Sequence, residues 1–345
     1  MSRTAPQRVA AALGVRFPLM LAGMGGVAGP ELVAAVSEAG AAGTLGLYRM
    51  PAERIADAIG RTQALTAAPF GANFVPEVLD EGQLLPRVNA AIAASRSNVF
   101  LSFFGLPPPT AADAVHTAGR RLVIQVGTAA DAMTAAALGA HVVVLQGVEA
   151  GGHLLGKQGV AQLLRDTRAR LPSAALAVAG GIASGADFAR LAEHGADGVC
   201  CGTLFIPAHE SRAHPLYKQA VLQANAADTE ITGLFETGWP GRPHRVVSTA
   251  QVARGRGDPE TFIASTAIYG SRCLIPRYSA AVPTTETVGA VMEMALYCGT
   301  SCGGIQAADL PARALVSGFV ESFRHAPAGA QAHKEELPWT STSHA

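Results

Sequence analysis

The chain has 345 residues, 26 basic against 26 acidic side chains, 38 glycines and a 49% hydrophobic content. Zero net charge leaves no basic footprint for nucleic acid or an anionic membrane surface. Five cysteines, an odd and sparse set without zinc spacing, exclude a disulfide scaffold.

The opening residues carry neither a bilayer-length apolar stretch nor a secretory pattern, so the cytosol is the expected compartment, with no membrane or nucleic-acid partner. Short apolar runs then recur at 18–23, 42–47, 70–75, 98–104, 121–126, 141–146, 175–180 and 198–203. Most are nearly continuous, as expected of strands buried on both faces of a parallel sheet. Ala-rich amphipathic stretches separate them. Pro30, Pro51, Thr128 and Ser184 mark helix starts, and glycines close several of these stretches. Eight strands alternating with helices suit a (β/α)8 barrel, a TIM barrel, of roughly 250 residues with insertions. A doubly wound open sheet has the same rhythm.

After the eighth strand the rhythm breaks. Residues 206–289, with turn-rich TGWPGRPHR and several weak helical pieces, read as a small lid or substrate domain. Residues 1–205 and 290–326 then form the barrel. Helical signal resumes at VGAVMEMALYCG and at DLPARALVSGFVESFRH, and 327–345 read as a flexible tail.

Glycine concentrates where barrel sites lie, in loops after strands. Gly23-Met24-Gly25-Gly26 follows the first strand but lacks the spacing and the later acid of a dinucleotide fingerprint. Gln146-Gly147-Val148-Glu149-Ala150-Gly151-Gly152-His153 follows the sixth. It gathers an amide, a carboxylate and an imidazole, which makes His153 the candidate catalytic residue. Gly180-Gly181 after the seventh strand and Cys201-Gly202-Thr203 after the eighth stand where barrels hold phosphate through backbone N–H groups. Two further patterns are weaker. His209-Glu210-Ser211-Arg212-Ala213-His214 spaces its histidines five apart, wrong for a zinc helix. Gly299-Thr300-Ser301-Cys302-Gly303 matches a hydrolase nucleophile elbow, with Asp309 and His325 in chain order, but follows helical signal rather than a strand. Cys298 and Cys302 read as packed thiols.

The run QGVEAGGHLLG, together with PLMLAGMGG, FGANFVPE, SFFGLPPP, AVAGGIASGADFARLAEHGADGVCCGTLFIPAHES and YCGTSCGGI in the same order, resembles the nitronate monooxygenase (2-nitropropane dioxygenase) family of FMN-dependent barrels. The likeness covers residues 17–206 and extends more weakly to about 325. It implies FMN at the C-terminal mouth, with Ala22, Gly23 and Met24 along the ring. Asn73 and Gln146 would bond its polar atoms and Gly151 would lie close. Gly180, Gly181, Cys200, Cys201, Gly202 and Thr203 would hold the ribityl chain and phosphate, and metal has no part. His153 matches the family's active-site histidine, either as a base toward a nitroalkane or as a cation holding nitronate oxygens.

One departure stands out: the late glycine loop carries Gly299-Thr300-Ser301 where the family commonly has glycine-glutamine. The implied reaction is oxidation of an alkyl nitronate by O2 to a carbonyl compound and nitrite. The alternatives are an NAD(P)H-fed reductase of an enoyl thioester or quinone, and a flavin-binding partner protein with little turnover. A small-molecule substrate and O2 are the expected partners, with a homodimer and a carrier protein as further candidates. Carrier docking would use a basic patch drawn from Arg212, Lys218, Arg242, Arg245, Arg254 and Arg256.

Overall fold

The computed structural model describes residues 6–268, 270–305 and 309–327. Eight parallel strands form one sheet: β1 (Leu19–Leu21), β2 (Gly43–Tyr48), β3 (Phe70–Phe74), β4 (Phe100–Phe104), β5 (Leu122–Val126), β6 (Val142–Gln146), β7 (Leu176–Ala179) and β8 (Gly198–Cys201). The order is sequential, with β1 beside β8. The ring closes where Leu21 N donates to the Ala42 carbonyl and Ala42 N to the Leu19 carbonyl, both at 2.8 Å. Every strand named from the apolar runs is present, and closure excludes the open sheet.

A helix follows each strand, from Pro30–Glu38 after β1 to Gly185–Glu193 after β7, and the insertion separates β8 from its helix, Ala312–His325. The start signals act as read. Pro30 occupies the first turn, the Thr128 hydroxyl accepts from Asp131 N, and Ser184 forms a capping box with Asp187. Helix Ala312–His325 closes the outer ring between Gly185–Glu193 and Pro30–Glu38. Gly185 permits this approach, since a Cβ there would stand 2.0 Å from the Phe319 carbonyl oxygen. The strands' outward residues and the helices share one large core. A smaller cluster, with Met20, Phe100, Val123, Val142, Val144, Ala177 and Cys200, packs against Val9 and Leu13 of the N-terminal helix Arg8–Leu13.

Residues 206–289 carry more strand than their weak helical signal suggested. Thr229–Thr232 and His244–Val247 pair antiparallel, and the sheet takes in Gly152–His153 from the loop after β6, with His244 opposite His153. Phe262–Ile268 and Ser271–Pro276 form a hairpin, joined by Val288–Gly289. The expected helix at VGAVMEMALYCG is therefore a correction. Residues 288–299 form that short strand, a 3-10 turn Val291–Glu293, and a bridge from Tyr297 to Val246. Gly289 sits at φ 133°, and a Cβ there would stand 2.5 Å from the Ile263 carbonyl oxygen, so sheet pairing overrides the periodicity. Within the expected tail, 328–345, including Trp339, lie outside the described residues. No helix among the described residues is long and apolar enough to cross a membrane.

Candidate active site

A cavity of about 870 Å³ opens at the C-terminal ends of the strands. Ala22, Gly23, Met24, Asn73, Gln146, Gly151, His153, Gly180, Gly181, Cys200, Cys201, Gly202 and Thr203 all line it, so the structure brings together every site residue named from the sequence.

His153 is buried, and its Nε2 has no hydrogen-bond partner. Its ring stacks on Trp239 with centroids 3.8 Å apart and planes 13° from parallel. His244 and Tyr297 lie at 5.1 and 5.2 Å. Burial, followed by the charges of His244 and Arg242, lowers the His153 pKa to about 3. The imidazole is therefore neutral at physiological pH. His244 is held neutral as well: Nδ1 donates to the Arg242 carbonyl (3.1 Å) while Nε2 accepts from Phe235 N (3.2 Å). Burial depresses its pKa.

Gln146 secures the histidine loop. Its Nε2 donates to the His153 carbonyl (2.9 Å) and its Oε1 accepts from Leu155 N (2.8 Å), leaving one donor and one lone pair. Asn73 accepts at Oδ1 from Ser102 Oγ (3.0 Å). Glu149 lies behind the loop. Its carboxylate caps helix Val160–Arg170 through Val160 N, its pKa is raised by burial, and the neighbouring Val148 carbonyl accepts from Arg245. Gly151 is indispensable for this packing, because a Cβ would meet Gly299 N at 2.5 Å. The departing loop thus lies on the histidine loop: Gly299 and Ser301 line the cavity, Gly299 N donates to Thr203 Oγ1 (3.0 Å) and Thr300 N to the Glu149 carbonyl (3.0 Å).

On the far side, Gly180 and Gly181 adopt φ of 109° and 71°, conformations open to glycine. A Cβ on Gly180 would stand 2.8 Å from Ala150 N. Cys200 is no nucleophile, since burial pushes its thiol up to about 12, and burial likewise raises Cys201 well above its ordinary value.

Sequence reasoning missed the aromatic wall. Trp239 also stacks on Tyr48 (5.6 Å) and meets Phe104 edge-on (5.6 Å). Tyr48 OH donates to the Gly238 carbonyl (3.0 Å), and Tyr297 OH to the Ala280 carbonyl (3.0 Å). One local signal was available: Tyr48 ends β2, at the level of the other rim residues. Its φ of +33° is a strained value for a bulky residue.

The weaker patterns dissolve. His214 Nδ1 accepts from Leu216 N and caps helix Pro215–Gln223, while His209 pairs with Asp309 at 3.2 Å on the surface. His325 bonds the Glu321 carbonyl, so Ser301, Asp309 and His325 form no triad. Cys298 and Cys302 are buried free thiols. The expected basic patch is largely spent. Arg242 pairs with Glu77, Arg254 with Asp258 and Arg256 with Glu236; Arg245 and Lys218 donate to the Val148 and Ala208 carbonyls. Arg212 remains exposed at the cavity edge.

A closed parallel barrel with a cavity at its strand ends, a glycine-lined rim and a buried histidine defines the (β/α)8 barrel class. The chain belongs to the nitronate monooxygenase family, whose model matches residues 7–322. It is 34% identical over 245 residues to (3aS,4S,5R,7aS)-5-hydroxy-7a-methyl-1-oxo-octahydro-1H-indene-4-carboxyl-CoA dehydrogenase of Mycobacterium tuberculosis, covering 70% of this chain and 66% of that protein. The match thus spans just under two thirds of that relative's length. Identity is 33% over 257 residues to a probable nitronate monooxygenase of Bacillus subtilis, covering 63% of this chain and 74% of that one. Among solved structures, nitroalkane oxidase from Streptomyces ansochromogenes superposes with a TM-score of 0.73 at 27% identity, covering 91% of this chain and 98% of that one.

Proposed function

We propose that this chain is an FMN-dependent oxidoreductase that oxidises alkyl nitronates with O2 to a carbonyl compound and nitrite. The observation that carries this reading is the buried, unpartnered Nε2 of His153 at the wall of an apolar cavity. A buried polar atom without a partner in the protein calls for one, and at a cavity wall a ligand can supply it.

The residues present fit FMN. Cβ atoms at Gly151 and Gly180 would meet backbone, so the cradle is shaped by the absence of side chains. Ala22, Gly23 and Met24 would lie along the ring, and Asn73 and Gln146 would offer their amides. Gly180, Gly181 and Cys200 to Thr203 would hold the ribityl chain and phosphate through backbone N–H groups, which suits a neutral protein. When bound, FMN supplies the electron acceptor and the route to oxygen.

The protein's own task is orientation and dryness. Residues 206–289 serve as the cover, and Trp239, Tyr48 and Tyr297 keep water from the reacting centre. His153 meets an anionic nitronate as a neutral imidazole, and the anion then raises its affinity for a proton. A pKa near 3 makes the same group a poor base toward the C–H bond of a neutral nitroalkane. Of the two roles the sequence left to His153, hydrogen bonding to a preformed nitronate is favoured, without a standing positive charge.

A second reading has its own support. The cavity continues outward between Arg54, Arg61 and Arg212, room for a longer acyl substrate, and the M. tuberculosis relative's name specifies a CoA thioester. Oxygen consumption separates the two. The nitronate reading expects turnover of an alkyl nitronate well above that of its neutral nitroalkane. NAD(P)H oxidation coupled to an enoyl-CoA, with no response to nitronate, overturns it.

A further inference from the structure

Glu77 belongs to the barrel, in the 3-10 turn Pro76–Val78 after β3, yet its carboxylate is engaged by the covering segment. Trp239 Nε1 donates to Oε2 at 3.1 Å. Arg242 donates from Nη2 to Oε1 at 2.7 Å and from Nε to both oxygens at 3.0 and 3.1 Å. The same guanidinium reaches the Leu154 carbonyl through Nη1 (3.4 Å), and Leu154 N donates to the Pro243 carbonyl (2.9 Å). One carboxylate therefore ties together the turn after β3, the indole lying on His153 and the segment that follows His153. An isolated exposed ion pair contributes little. A bidentate guanidinium pair that also fixes a buried indole is geometrically directive.

We propose that Glu77 is a positioning residue, clamping Trp239 flat against His153 so that the imidazole stays dry. Nothing in the sequence marks it, because its partners lie more than 160 positions away. The groups facing His153 are Trp239, His244 and Tyr297, with the Arg242 charge nearby and Tyr48 behind the indole. Releasing the clamp admits water to this set. The imidazole's proton affinity then returns toward its ordinary value, and the substrate loses a fixed wall. Only the kinetic arm of the test rests on the nitronate reading.

The chain has two tryptophans, so a Trp339→Phe background leaves Trp239 as the sole tryptophan. In that background the FMN-loaded Glu77→Ala protein is expected to emit further to the red and to be quenched more by acrylamide, with flavin content near the parent's. Its kcat/KM for an alkyl nitronate is expected to fall about 10- to 100-fold. The acid inflection of its pH profile should move up toward the ordinary imidazole value of about 6.5. Glu77→Gln keeps an acceptor for the indole N–H but loses the ion pair, and should fall between the two. A Glu77→Ala protein with parental emission, quenching and acid inflection overturns the proposal, as does activity lost only in step with folded protein. Emission reports on the clamp whatever the substrate proves to be, so a failed nitronate assignment and a failed clamp give different results.

Discussion

Trp239 lies face to face with His153, 3.8 Å between ring centroids, although one belongs to the segment 206–289 and the other to the loop after β6. The contact makes the chemistry of a barrel residue depend on an element outside the barrel. Stacking removes water from one face of the imidazole, and burial then outweighs the other influences on its pKa. Packing against Trp239 thus contributes to the burial that depresses the basicity of His153.

Trp239→Ala should raise the proton affinity of His153 and reduce kcat/KM about 10- to 100-fold by loosening the site. Trp239→Phe keeps an aromatic face over the ring and loses the N–H donated to Glu77, so its loss should be several-fold smaller. The pH profile of kcat/KM for both variants checks the order.

Acid should destabilise the fold through the same histidine. Below about pH 6.5 the unfolded chain protonates His153, whereas the folded chain resists until about 3. The stability this residue retains at pH 7 therefore drains as pH falls across that window, by up to about 1.4 kcal/mol per pH unit. The depressed His244 adds in the same direction. Melting temperatures between pH 7 and 4 should fall less steeply in His153→Gln than in the parent.

Gly180→Ala should cost about 1–3 kcal/mol and lower flavin content, because its φ of 109° disfavours a side chain. Its Cβ would also stand 2.8 Å from Ala150 N. Gly60→Ala, inside helix Ala52–Leu65 with nothing within 4 Å of the new Cβ, should stabilise by about 0.4–1 kcal/mol and leave flavin unchanged. Denaturant titration and flavin absorbance of the two proteins test both.

Arg168 and Asp197 form a largely buried pair at 2.5 Å. Asp197 accepts from Leu176 N at the start of β7, and Arg168 holds the Gly195, Leu171 and Ala174 carbonyls. The pair sits at the end of the barrel opposite the cavity, where residues serve stability. Arg168→Ala should cost up to about 3 kcal/mol, since only the half-exposed Arg8, 3.8 Å away, would still face the Asp197 carboxylate. Flavin affinity of the folded protein should be unchanged, as a binding titration would show.

The barrel was legible because its signals are local. Continuous apolar runs announced β1 to β8, and Pro30, Thr128 and Ser184 punctuated the helices as read. The rim was legible for the same reason, since Gly151, Gly180 and Gly181 stand beside the strands they follow. The cover was not. The pairing of His153 with His244 is a long-range register that no window contains, and nothing local sets Trp239 against His153. At 288–299 helical periodicity misled, because Gly289 and its neighbours satisfy their backbone in a sheet. The role of Glu77 is equally long-range, with its partners more than 160 positions away, whereas Gln146 bonds its own loop at His153 and Leu155.

The central claim is that His153, on an FMN-bearing barrel, handles an alkyl nitronate. Anaerobic mixing of the yellow protein with nitronate, followed by flavin absorbance in the parent and in His153→Ala, tests it most directly. Rapid bleaching in the parent and bleaching at least about 100-fold slower in a flavin-replete His153→Ala protein is the expected result. Equal rates in the two proteins, or a parent bleached by reduced nicotinamide and untouched by nitronate, would contradict it.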